Sequence, residues 1–207
     1  MMDGDGEGPV NKTNVERLTN AFFGFTMTLL IRNLAVPDIA TMTDEVILTT
    51  AGRYLVDLAI YLFVFLVLGV SWVMVFRVYR NIVAVDMGFV VRVFFALLFV
   101  VFLPVTSQLD TALDSPIGGV FAQVNLLLLG VMTWSLFRYA VRTPALRNPR
   151  LSHPRVIRLV NREYLIIPVL SALALALSVL EITLAGIVYL AAPFVLWWMI
   201  DRDGLDS

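Results

Sequence analysis

Apolar runs of the length that crosses a lipid bilayer recur along this 207-residue chain, and no soluble arrangement accommodates so many of them. A helix rises 1.5 Å per residue, so roughly 20 mostly apolar residues cross a hydrocarbon layer about 30 Å thick. Four such runs occupy residues 18–36, 54–76, 89–105 and 117–137. A fifth, 164–200, is too long for one ordinary crossing and reads as a hairpin of two spans, 164–180 and 182–200, turning near Ser178 to Thr183 with Glu181 in the turn. The runs lack the period-2 alternation of a barrel, and a backbone inside lipid must satisfy its own hydrogen bonds, so each run is predicted to be a helix. The expected fold is an all-α polytopic membrane protein with six transmembrane helices over residues 18–200. Residues 1–17 and 201–207 are short tails.

Composition supports this class and removes others. Hydrophobic residues make up 59% of the chain and charged residues 15%, against about 45–50% and about 25% in soluble domains. A net charge of −1 gives no global basic field, so nucleic acid is not an expected partner. With no cysteine there is no disulfide framework, thiol nucleophile or thiolate metal site, and the single histidine, His153, lies in an arginine-rich segment. Phosphate-binding loops, zinc-protease helices and serine-nucleophile elbows are all missing, so neither an enzyme nor a cofactor is expected. The first apolar run lacks a basic leader and a small-residue cleavage site, which predicts that it stays as a helix rather than being removed.

Charge placement then orients the bundle. Lys and Arg accumulate on the cytoplasmic side of short loops. Thirteen of the fifteen fall in the N-terminal segment (Lys12, Arg17), the second gap (Arg77, Arg80, Arg92), the fourth gap (Arg138, Arg142, Arg147, Arg150, Arg155, Arg158, Arg162) and the tail (Arg202). Only Arg32 and Arg53 fall on the opposite side, which carries Asp38, Asp44, Glu45, Asp110, Asp114 and Glu181 instead. Both termini are therefore expected inside, in agreement with six crossings.

Polar residues within the spans are few. The first span, LTNAFFGFTMTLLIR, carries Thr, Asn, Gly and a terminal Arg. On a 3.6-residue period Phe25, Thr28, Leu29 and Arg32 share one stripe, while Thr19, Phe23, Thr26 and Leu30 lie on other faces. Such a stripe fits two roles: helix packing through small and hydroxyl residues, or an apolar ring formed where several copies meet, which controls permeation by dewetting. Asp57, near the start of the second span, marks either an ion path or an interfacial partner for Arg53 one turn earlier. Gln123 and Asn125 in the fourth span are expected to bond between helices. Pro104, Pro168 and Pro193 favour kinks or helix ends. The arginine-rich loop 138–162 serves topology and is suited to anionic lipid.

Several of these segments, in order, resemble the transmembrane protein 175 potassium-channel family. Residues 18–38, LTNAFFGFTMTLLIRNLAVPD, are similar to its first helix, whose signature R-x-x-x-F-S-D leads into an apolar run through T-L-L to V-P. Trp72 with Phe76-Arg77-Val78-Tyr79-Arg80 resembles W-x-x-H-H-R-x-F-R of its second helix. Leu103-Pro104-Val105-Thr106-Ser107 resembles L-P-F-x-T of the third, and Phe121-Ala122-Gln123-Val124-Asn125-Leu126 resembles Y-A-x-N-L of the fourth. The resemblance implies six helices per chain, a homotetramer in prokaryotes, and a potassium pathway lined by first helices without a carbonyl-lined filter loop. Carried over by motif position, Phe25 falls at the first constriction, Thr28 at the hydroxyl layer, Leu29 at the next apolar layer and Arg32 at the outermost.

The motifs are also altered. Asn14, Leu18, Thr19 and Asn20 stand where the family has Arg, Phe, Ser and Asp, and Val75 and Phe76 replace its paired histidines. An unpaired buried charge costs several kcal/mol, so loss of one charged partner favours loss of the others. A neutral Asn/Thr cluster is the expected substitute. Arg32 replaces an apolar lining residue, and either faces the pore mouth as a ring of positive charge or snorkels to the outer interface. The expected protein is thus an integral membrane protein, in a prokaryotic plasma membrane by that resemblance, with potassium ion, membrane lipid and further copies of itself as partners. The expected function is a potassium-permeable channel with its pore along the first-helix stripe; the alternatives are a same-fold protein that passes protons or another ion or is a non-conducting membrane scaffold, and a small secondary transporter with a site near Asp57 and Asn125.

Overall fold

The computed structural model describes residues 10–32, 44–112, 116–148, 154–180 and 194. Among them are five helices and no strand: α1 (Lys12–Arg32), α2 (Asp44–Arg80), α3 (Met87–Ala112), α4 (Pro116–Arg142) and α5 (Pro154–Val179). The sixth expected span, 182–200, lies outside the described residues apart from 194, as do Pro193 and His153. Four helices contain stretches long and apolar enough to cross a membrane, Thr49–Arg80, Met87–Leu109, Ile117–Arg142 and Val160–Val179. The first helix is not among these four, because Thr, Asn and flanking charges dilute its apolar content. Its 21 residues nevertheless span about 32 Å, close to the thickness of a hydrocarbon core.

The helices run beyond the expected crossings because polar residues near membrane surfaces still favour helix. Asn11 caps α1 by accepting the Thr13 N–H at 2.9 Å, so the helix starts within the segment expected as a tail. At 37 residues α2 is about 55 Å long and takes Asp44 and Glu45 into its first turn. Pro104 and Pro168 lie inside α3 and α5, which continue past them. A missing N–H is tolerated in such helices where neighbouring groups take up freed carbonyls. Separately from the carbonyl that Pro104 frees, that of Val100, the carbonyl of Phe99 accepts the Asn125 side-chain amide from α4 at 3.0 Å.

In sequence order α3 packs on α4 and α4 on α5, while α1 lies against α3 and α2. Lipid tails are as apolar as leucine, so association within a bilayer depends on close fit and interhelical hydrogen bonds. Gly130 of α4 supplies such a fit: a Cβ there would lie 2.9 Å from the backbone nitrogen of Pro168 on α5. Ala96, Ala122, Ala140 and Ala174 are also buried. Larger groups fill the rest, with Phe137 stacked on Tyr164 at 4.3 Å between centroids and Tyr79 edge-on to Phe89 at 5.6 Å.

One end of the bundle is tied by backbone. The α2–α3 connection, 81–86, meets the segment after α4 through Val83 N–H to the Leu146 carbonyl at 2.8 Å and Asn148 N–H to the Asn81 carbonyl at 3.1 Å. An isolated antiparallel bridge pairs Ile82 with Arg147, and Lys12 Nζ donates to the Ile82 carbonyl at 2.7 Å. The N-terminal segment and the second and fourth gaps, grouped on one side by charge, are therefore at one end of the molecule. Asp86 starts α3 there, accepting Phe89 N–H at 2.7 Å on one oxygen and the Tyr139 hydroxyl at 2.8 Å on the other. Arg92 lies within α3, its guanidinium 3.8 Å above the Tyr139 ring centroid.

Candidate functional site

The first helix has one inward face and one free face. Val15, Thr19, Phe23, Thr26 and Leu30 recur every three or four residues and are buried. Roughly a third of a turn away runs the stripe singled out in the sequence. Phe25 is 63% exposed, Thr28 and Arg32 are exposed, and Leu29 is half-buried at the edge. The protomer's own core thus does not cover these groups. Leu18, 54% exposed, continues the line one turn pair earlier.

Thr28 has a defined polarity. Its Oγ1 is 2.7 Å from the Phe25 carbonyl oxygen, and since a carbonyl can only accept, the hydroxyl donates its proton to the helix. What it presents outward is oxygen lone pairs, which suit a cation or the donor end of water. Arg32 occupies the last turn, where a cation interacts favourably with the helix dipole.

Positions of the altered motifs lie where α1 meets α2. Thr19, 1% exposed, donates to the Val15 carbonyl and accepts from the Tyr79 hydroxyl, each at 2.8 Å, and Tyr79 is equally buried. Asn20 Oδ1 accepts the indole N–H of Trp72 at 2.9 Å. Trp72 stacks on Phe76 at 5.7 Å, Val75 is buried, and Asn14 and Leu18 are exposed. Neutral hydrogen bonds therefore join these helices, with no ionised group at Thr19, Asn20, Val75 or Phe76.

An ion pair missed in the sequence reading lies beyond them. Arg77 Nη1 of α2 is 3.1 Å from Glu163 Oε2 of α5, their side chains only 13% and 6% exposed. Tyr164 adds a hydroxyl bond to the Met74 carbonyl at 2.7 Å, so adjacent residues of α5 reach the same part of α2. The available signal was Glu163 itself, a lone acid among the arginines of 138–162 and the apolar run that follows. Asn161 likewise accepts the Trp134 indole N–H at 2.9 Å.

The transporter residues are not arranged alike. Asp57 is exposed on α2, while Asn125 is 5% exposed and bonded to the Phe99 carbonyl, a structural tie between α4 and α3. The Arg53 side chain lies outside the described residues, as does any pairing with Asp57.

A bundle of apolar helices joined by sparse polar ties defines an integral membrane protein. A sequence profile of the family described as "Endosomal/lysosomal potassium channel TMEM175" matches residues 14–104, from the altered first-helix motif through α2 to Pro104 of α3. A solved structure, the crystal structure of a lysosomal potassium-selective channel TMEM175 homolog from Chamaesiphon minutus, has the same fold. Its TM-score is 0.71 at 18% identity, covering 90% of this chain and 96% of that one. No curated protein matches the sequence. The resemblance read from the motifs is thereby confirmed, and what the chain resembles are described as ion channels rather than enzymes.

Proposed function

We propose that this chain is a potassium-permeable channel, assembled as a homotetramer in a prokaryotic plasma membrane with a central pathway lined by α1. The observation that carries this reading is the free face of α1, where apolar side chains and one outward-facing hydroxyl oxygen follow a single stripe left uncovered by the protomer. Four copies around an axis would set Phe25 side chains in an apolar ring narrow enough to exclude water, with Leu29 as a second ring. Between them Thr28 oxygens offer acceptors to a partly dehydrated cation. The profile match and the likeness to a channel homologue support the same assignment.

A second reading is favoured by one observation. Arg32 is exposed at the end of this stripe. A ring of guanidinium groups would repel cations at that mouth and cannot be neutralised by pH. The same fold would then pass another ion, or act as a non-conducting scaffold. Six crossings with both termini inside complete the proposed topology.

Flux of potassium down a gradient in proteoliposomes tests these readings. Native protein is expected to exceed empty vesicles, Phe25→Ala to raise flux by widening the ring, and Arg32→Leu to raise it by removing repulsion. Flux at the level of empty vesicles for all three proteins overturns the channel assignment. Conduction appearing only in Arg32→Leu supports the second reading.

A further inference from the structure

The tied end of the bundle holds basic groups from three segments distant in sequence. Arg80 ends the α2 crossing stretch, Arg142 ends that of α4, and Arg147 is bridged to Ile82, whose carbonyl holds Lys12 of α1. Arg80 and Arg142 are exposed, Arg147 is half-exposed, and none of the three has an ion-pair partner among the described residues. The nearby acids have other neighbours. Glu163 is paired with Arg77, Asp86 accepts Phe89 N–H and the Tyr139 hydroxyl, and Glu16 lies one turn along α1 from Lys12.

We propose that this junction binds the phosphate headgroups of anionic phospholipids. An orientation signal requires only that arginines remain on one side during insertion, and it works from a loose loop. Here backbone hydrogen bonds and a lysine hold separate loops together, so that Arg80, Arg142 and Arg147 are kept at one end of the bundle, at or just past the ends of crossing helices. That depth is where lipid phosphates lie, and guanidinium pairs with phosphate through two parallel N–H donors. Bound lipid would staple the start of α1 to both loops. The proposal stands apart from permeation and is tested without it.

Native mass spectrometry of the full chain in detergent, with added phosphatidylglycerol or phosphatidylcholine of equal acyl chains, reads the preference directly. Native protein is expected to retain phosphatidylglycerol preferentially. Each arginine is expected to contribute roughly fivefold, so R80Q/R142Q/R147Q loses on the order of a hundredfold in that preference. Equal retention of both lipids by native protein, or undiminished preference in the triple variant, overturns the proposal. Should that variant fail to fold, native protein alone decides: the preference must weaken as salt rises from about 0.05 to 0.5 M, and a salt-independent preference refutes an electrostatic site. Displacement of the lipid by equimolar glycerol phosphate would assign the junction to a soluble anion and reject the lipid.

Discussion

Replacing Glu163 by leucine leaves the Arg77 guanidinium in a site that is 13% exposed, without the carboxylate 3.1 Å away. Breaking one partner from a buried pair costs about 3–5 kcal/mol, chiefly through the charge left behind. Glu163→Gln keeps one acceptor oxygen and loses only the charge assistance, so about 2–3 kcal/mol is expected. The double variant R77M/E163L removes both charges and refills similar volume with apolar groups, which is near neutral or stabilising. The losses of R77M alone and E163L alone should therefore sum to about 3 kcal/mol or more above the double-variant loss. Unfolding of purified protein in mixed micelles by added dodecyl sulfate, followed by helical circular dichroism, supplies the three free energies. Single variants within about 0.5 kcal/mol of native, or a double variant as unstable as the sum, would refute a coupled buried pair.

Two further changes examine the helix contacts. Thr19→Val leaves the buried Tyr79 hydroxyl without its 2.8 Å partner and should cost about 1–3 kcal/mol in the same assay, with T19V/Y79F recovering most of it. Full additivity of those two changes would contradict the bond. Gly130→Ala forces a methyl group to within 2.9 Å of the Pro168 nitrogen, so α4 and α5 must separate at a cost of about 1–3 kcal/mol. Unchanged stability would mean that this contact has slack.

Much of the fold was legible because membrane helices depend on few variables. Length and apolarity marked α2 to α5, and the arginine distribution grouped the loops that Val83, Asn148 and Lys12 tie together. The stripe of α1 was legible from its period, since the same 100° step that buries Thr19, Phe23 and Leu30 must turn Phe25 and Thr28 away from them. Motif order pointed to the α1–α2 contact, and the substitutions at Thr19 and Asn20 proved to be hydrogen-bonded to Tyr79 and Trp72. Pairings between helices far apart in sequence were not legible. Nothing near Arg77 indicates Glu163, 86 residues later, because their proximity arises from the packing of α5 and not from local spacing. Helix ends were also extended beyond expectation, as hydropathy reports the lipid-facing portion and not hydrogen bonding past it.

Cysteine cross-linking in membranes tests the central claim that α1 helices of neighbouring copies face one another. The native chain has no cysteine, so each introduced thiol reports alone. Under a mild oxidant, Phe25→Cys and Leu29→Cys are expected to form covalent dimers readily, whereas Phe94→Cys, on the exposed face of α3, forms few. Monomers at positions 25 and 29 alongside efficient dimers at 94 would contradict a shared α1 axis.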